Sequence, residues 1–405
     1  VATAGQAGVS RDALLLIADE LVRDVSQLRG LAAKAPISRG VLSRDQIVEK
    51  LRARIAKEYT PEEVRRESGV LKRLGLMADD VDYEKTLFNL LADQVAGFYD
   101  PQARTLYIAD WLPVQMQRPA LAHEIEHALQ DQHFDLTKYS APMKNEGDAQ
   151  MARSAVVEGD GTAVMLELPA RGARPDSVRT PAVVAKLGKQ MMMLTMGATP
   201  AFQRAPQALR ETLVFPYASG LEFVITHRGA DGWSRVDDLF RSPPESTEQV
   251  MHPEKYAQRE HPVRISSGPL PTLASTGRKE VHRDVMGELV WKIWFGSAMA
   301  ESQAETAAAG WGGDRMVAYE GPGDDKPIVV SLSAWDSDSD ADEAEAAARR
   351  TVAALAPLPA KDAAKEAAAP KPPRGVPFFR QRGNQVYGLV RRDRLMAVVL
   401  GVPKG

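Results

Sequence analysis

The chain has no cysteine. Disulfides, thiolate metal sites and a cysteine nucleophile are excluded together, so any metal must be held by histidine and carboxylate. Long apolar runs are missing as well: the longest, such as Ala13 to Ala18 and Leu395 to Leu400, fall far short of the roughly 18–20 residues that a membrane span needs. There is also no dominance of one charge sign. With a formal net charge of −3 and no extended basic stretch, neither nucleic acid nor an anionic membrane is indicated as the main partner. Apolar residues are abundant: 44% hydrophobic content over 405 residues suffices for a large core and two or three domains. The sequence begins VATAG, with neither an initiator methionine nor a charged-then-apolar leader. The compartment is left open by this, an exported chain whose leader has been removed being preferred over a cytoplasmic one.

Apolar residues at helical spacing (Leu14, Leu15, Ala18, Leu21, Val22, Val25, Leu28), broken by Pro36 and Gly40 and resumed from Ile47 to Ile55, make residues 1–76 a helical N-terminal region. Val95 to Tyr99 and Thr105 to Ala109, set around Asp100 and Pro101, carry a hairpin signal. It leads into RPALAHEIEHALQDQHFD, Arg118 to Asp135, which holds three of the seven histidines. Pro119 suits a first helical position, and the spacing predicts a helix from Pro119 to about His133. A second helix is expected over Asn145 to Leu168. From residue 310 to 405 the texture becomes that of a small β-β-α-β-β module: strands near 316–320 and 328–332, a helix near 340–355, and a hairpin at 385–391 and 394–400. WGGDR (Trp311 to Arg315) reads as a tight turn in which Asp314 and Arg315 pair, and the Ala/Lys/Pro stretch 357–374 as a mobile loop. The fold class is α+β, mostly helical, with a β-hairpin before the histidine helix.

On a helix, residues four apart are about 40° apart around the axis, so His123 and His127 share a face and can bind one metal ion. Glu124 lies beside them, where it reaches a water without being a ligand. This is the HExxH arrangement of zinc hydrolases, in which two imidazoles hold zinc and a carboxylate removes a water's proton. Leu121, Ile125 and Leu129 form a separate apolar stripe by which the helix packs.

Zinc catalysis usually takes three protein ligands. His133 stands where HExxHxxGxxH would place a third histidine, but Gln130 occupies the glycine position. Continued helix would turn His133 about 240° from His127. The other choice is Glu158 in MARSAVVEGDGTAVM. Glycines inside a helix cost about 1 kcal/mol each relative to alanine, and Gly159 and Gly161 beside Ala152, Ser154 and Ala155 would permit a close approach to the HExxH helix. Glu158 is therefore the expected ligand, with His133 second and Glu146, Asp148 or Asp160 behind it. Thr162, Asp131 and Asp160 are candidates for orienting an imidazole.

The chain resembles a group of predicted bacterial and archaeal zinc metallopeptidases in AGFYDP (96–101), LAHEIEHALQDQHFDL (121–136), VVEGDGTAVM (156–165), FPYASG (215–220), PPESTEQVMHPEKY (243–256) and GWGGDR (310–315). The resemblance implies a gluzincin, or thermolysin-like, protease with a zincin-like domain over residues 77–309. One zinc per chain would be held by His123, His127 and Glu158, with Glu124 as general base. Thermolysin-like enzymes carry an aspartate four residues after the ligand glutamate; here that position is Thr162. His252 and Tyr256 are the candidates for stabilising a tetrahedral oxyanion, and His227, His261 and His282 read as ordinary polar residues. The outer edge of the hairpin offers a place for a substrate strand. The expected activity is endopeptidase action on a peptide or protein. A non-catalytic zinc-containing binding or scaffold protein is the alternative.

Overall fold

The computed structural model describes residues 10–94, 97–111, 114–170, 181–229, 231–266, 268, 270–323, 326–367 and 375–404. The chain opens with α1 (Arg11–Arg29), β1 (Ser38–Leu42), α2 (Arg44–Glu58), α3 (Pro61–Arg73) and α4 (Tyr83–Gln94). Local chemistry sets their limits. Ser10 caps α1 by accepting from Ala13 N at 3.2 Å, and Gly30 ends it at φ 80°. Ser43 with Gln46 and Thr60 with Glu63 form capping boxes at α2 and α3.

Next come β2 (Gly97–Asp100), β3 (Thr105–Ala109), α5 (Val114–Phe134), the short α6 (Leu136–Tyr139) and α7 (Gly147–Glu167). The hairpin forms where its sequence signal lies. The Pro36 to Gly40 interruption does more than break helix, because β1 runs parallel to β3, with Ser38 opposite Thr105 and Leu42 opposite Ala109. The resulting order β1-β3-β2 leaves β2 at the edge. Helix α5 starts ahead of Pro119, so this proline falls in the second turn and forfeits one intrahelical hydrogen bond instead of occupying the first position. The apolar face of α1 (Leu14, Ala18, Leu21, Val25) packs with Leu106 and Ile108 of β3 and with Leu121, Ile125 and Leu129 of α5. The N-terminal helix thus shares a core with the histidine helix.

The middle of the chain is helical: α8 (Pro181–Gly197), α9 (Pro200–Arg204), α10 (Gln207–Arg228), α11 (Ser234–Arg241), α12 (Thr247–Met251), α13 (Pro253–Ala257) and α14 (Pro271–Ala274). After them come β4 (Lys279–Asp284), α15 (Gly287–Gly296), α16 (Glu301–Ala308), β5 (Trp311–Glu320), β6 (Ile328–Trp335), α17 (Asp338–Leu355), α18 (Ala360–Ala367), β7 (Phe378–Arg382), β8 (Gln385–Arg392) and β9 (Leu395–Pro403). The last strands form an antiparallel six-stranded sheet, ordered β4-β5-β6-β9-β8-β7. It is larger than the expected module, since β4 lies upstream of residue 310 and β7 adds an outer strand. Residues 360–367 are helical where a loop was expected, and 368–374 lie outside the described residues. Among the described residues no helix is long and apolar enough to cross a membrane.

WGGDR is the first half of β5, not a turn, and a bulge follows Trp311. Successive strand residues face opposite ways, so Asp314 and Arg315 do not pair with each other. Asp314 accepts from Met286 N and Gly287 N, both at 3.0 Å, at the start of α15. Arg315 donates to Asn145 O at 2.7 Å and Glu146 Oε1 at 2.9 Å, just before α7. Helix α7 has no side-chain cap of its own; its Gly147 N donates to Asp284 Oδ1 of β4 at 2.7 Å.

Asp148, in the first turn of α7, is buried and accepts from Thr247 N at 3.2 Å and Thr247 Oγ1 at 2.5 Å. Burial pushes its carboxyl from 3.8 up to about 8, against the pull of the Thr247 hydrogen bonds. Because the folded pKa is raised, the stabilisation is complete below the unfolded value and is lost as pH rises through about 8. Thermal unfolding of the Asp148→Asn protein should therefore show a flatter decline of Tm between pH 4 and 8 than the parent. Equal slopes in circular dichroism melts would remove Asp148 from the pH dependence.

Candidate metal centre

Helix α5 is buried on nearly every side. Leu121, Ile125 and Leu129 face the N-terminal core, as their spacing requires, but the remaining faces are not open to solvent. His123 and His127 are 7% and 8% exposed, and Glu126 and Gln130 are fully buried. Two features account for this. Gly161 of α7 lies against the His123 ring, where a Cβ would stand 2.9 Å from Cε1 and Nδ1. Gly159, by contrast, serves a different neighbour: its missing side chain admits the backbone of Gly220 on α10, which a Cβ would meet at 2.3 Å. The small residues of α7 thus bring Glu158 to the histidines and seat α10 behind it.

His123 Nε2 and Glu158 Oε2 are 3.0 Å apart, His127 Nε2 and Glu158 Oε2 3.5 Å, and the two Nε2 atoms 3.0 Å. Atoms held tetrahedrally at 2.0–2.1 Å from one zinc ion lie about 3.3 Å from each other, so the three fit that ion. Their electrostatics favour a cation. Burial works against charge on His127, but the Glu158 carboxylate overrides it and lifts the imidazole to about 10. Burial likewise opposes ionisation of Glu158, and the His127 charge with hydrogen bonds from both histidines holds its carboxyl well below the usual range.

His133, by contrast, is not in the cluster. The helix continues through Gln130 to Phe134, and His133 Nε2 lies 2.7 Å from Ala32 O. Glu146 pairs with Arg315, Asp148 with Thr247, and Asp160 with Arg29 and Gln130, so none of the three reserve ligands joins the histidines. Glu124 points its Oε2 to Tyr99 N of the edge strand at 2.8 Å. Burial raises its pKa; the two imidazoles oppose this, and the Glu158 charge reinforces it.

His127 is oriented by a residue the sequence did not single out for that role. Its Nδ1 meets Gln130 Oε1 at 2.9 Å, and Gln130 Nε2 donates to Val157 O at 3.2 Å and Asp160 Oδ2 at 3.0 Å. Asp160 in turn accepts from Arg29 Nε at 2.8 Å. Asp131 belongs elsewhere, accepting from the Tyr99 hydroxyl at 2.7 Å and from Leu136 N at 2.9 Å. Thr162 is buried, and its hydroxyl has no hydrogen-bond partner among the described residues.

The expected oxyanion donors are also committed elsewhere: His252 Nε2 lies 2.9 Å from Glu288 Oε1, and the Tyr256 hydroxyl donates to Ser242 O at 2.6 Å. Tyr217 of α10 takes the place beside the cluster, its ring stacked on His123 at 6.0 Å between centroids and 29° between planes. The Glu158 charge, then burial, the Glu124 charge and hydrogen bonding to Glu158 raise its phenol well above the ordinary range. The only signal in the sequence was its place in FPYASG.

The family described as Domain of unknown function (DUF8575) matches residues 273–403, a stretch that contains the six-stranded sheet but none of the residues around the histidines. No curated protein and no solved structure matches the chain.

Proposed function

We propose that the chain is a zinc-dependent endopeptidase of gluzincin type, with His123, His127 and Glu158 as ligands. The observation that carries this reading is the meeting of those three side chains beside a carboxylate, Glu124, that is not one of them. Zinc held there would acidify water and polarise a peptide carbonyl. Glu124 then takes the proton of the attacking water and delivers it to the departing amine, while Tyr99 N–H fixes the carboxylate on the side of the edge strand. Tyr217, neutral and next to Glu158, is the donor in reach of a developing oxyanion, the role first sought in His252 and Tyr256. The free side of β2 supports binding of an extended substrate, although its Tyr99 N–H is already engaged by Glu124.

Elemental analysis of the wild type, Glu158→Ala and His133→Ala proteins, prepared without added metal, tests the ligand set. Zinc is expected at about one per chain in the wild type and in His133→Ala, and lost in Glu158→Ala. The wild type should cleave casein and stop when a zinc chelator is added. A wild type free of zinc, or cleavage indifferent to chelation, would overturn the reading.

A further inference from the structure

A cavity of about 1090 Å³, lined by none of His123, Glu124, His127 and Glu158, lies between the start of α7, the end of α10, α11, α13 and the beginning of β5. Six arginines line it: Arg235, Arg241 and Arg315, which are paired with acidic residues, and three from separate segments, Arg153 of α7, Arg259 just after α13, and Arg264 in the irregular stretch before α14. None of the three has an ion-pair partner among the described residues; the one hydrogen bond from their side chains is that of Arg153 to Tyr139 O at 3.4 Å. Arg259 also holds φ 57°, a backbone conformation in which glycine is the unstrained choice.

The carboxylates around the cavity do not offset these charges. Glu146 is paired with Arg315, Asp238 with Arg241 and Glu245 with His261. Asp148 is buried and pushed up to about 8, so it is largely neutral at pH 7, and the Asp314 carboxylate is engaged by Met286 N, Gly287 N and Trp311 Nε1. An adjoining recess of about 290 Å³ shares Arg264, Arg315 and Glu146 and adds Lys144 and Arg283, the latter paired with Glu280. The net field is positive, in a space too large for one small anion. Leu239, Pro243, Tyr256, Pro262, Val263 and Trp311 give the same cavity apolar walls. Spaced cations among apolar surfaces suit a chain that carries carboxylates at intervals along an apolar backbone better than a compact phosphate.

We propose that this cavity is a second binding site, which takes an acidic polypeptide segment through Arg153, Arg259 and Arg264. The site is distinct from the metal centre. Arg153 and Glu158 both lie on α7, but five residues apart they are separated by about 7.5 Å along the axis and about 140° around it. The inference stands whether or not the chain is a peptidase.

The test is fluorescence anisotropy with a labelled peptide of alternating glutamate and leucine, titrated with the full chain. Binding should be micromolar, weaken about tenfold or more in Arg259→Gln/Arg264→Gln and in Arg153→Gln, and weaken further with added salt. Unchanged melting temperature and zinc content in the variants separate lost contacts from lost fold. No binding by the wild type up to about 1 mM peptide, or equal binding by folded variants, overturns the proposal. So does displacement of the peptide by inorganic pyrophosphate at a lower concentration than by unlabelled peptide, which would make the cavity a phosphate site instead.

Discussion

Replacing Glu124 with glutamine is expected to lower peptide hydrolysis by roughly 10²–10⁴-fold, the usual range for a positioned general base, while bound zinc stays at the wild-type level. The substitution is informative because it is nearly isosteric. The glutamine carbonyl can still accept from Tyr99 N, which lies 2.8 Å from the carboxylate now, so the side chain keeps its place and loses only its capacity to take a proton. Glu124 is not among the three atoms that converge on the metal position, so zinc has no reason to leave. Steady-state cleavage of casein, with zinc measured on the same samples, gives both quantities. Full activity in Glu124→Gln would reject the base assignment. Loss of zinc together with activity would show that Glu124 holds the site's shape rather than its chemistry.

The largest effect on stability is expected at Arg29. Its side chain, 1% exposed, pairs with Asp160 at 2.8 Å and Asp237 at 2.9 Å, lies 3.6 Å from Glu126, and sits over the Trp233 ring at 5.0 Å. Asp160 and Glu126 are fully buried. Substituting one partner of such a group leaves carboxylates in a place without water, so Arg29→Met should cost about 3–5 kcal/mol in urea unfolding at neutral pH. The loss should shrink as pH falls, because the orphaned carboxylates can then be neutralised by protons. A variant within about 1 kcal/mol of the wild type would mean that the network relaxes or hydrates once its cation is gone. The same substitution should also weaken zinc retention, since Arg29 steadies Asp160, Asp160 steadies Gln130, and Gln130 orients His127.

What was legible in the sequence was what local periodicity carries. HExxH, with histidines four apart, puts both imidazoles on one face of α5 whatever surrounds it. The Gln130 argument against a turn kept His133 away from the cluster, as the continued helix does. Glu158 was readable because glycines within a helix demand a close neighbour, although only Gly161 touches the HExxH helix and Gly159 answers to α10. Tyr217, Gln130 and the strand β1 were not legible in their roles. Each depends on a partner far along the chain: Tyr217 stacks on His123, Gln130 reaches Asp160, and β1 pairs with β3. His252 and Tyr256 drew attention through residue type alone, and type does not say which carboxylate or carbonyl a side chain will find. The WGGDR segment misled in the same way: its glycines suggested a turn, whereas Gly313 makes room for the Val263 backbone running alongside β5.

The cap on α7 gives the protein an order of events. A growing chain contains His123, His127 and Glu158 long before it contains Asp284, whose carboxylate accepts from Gly147 N across 137 positions of sequence. Until β4 has been made and has joined its sheet, the helix that carries Glu158 lacks the acceptor for its Gly147 N–H. The two histidines can be in place early, but the helix that carries Glu158 gains this contact only after residue 284 has been made. Capture of metal would then mark the closing of the fold, and a chain cut short before β4 would be left with a loosely held pair of imidazoles.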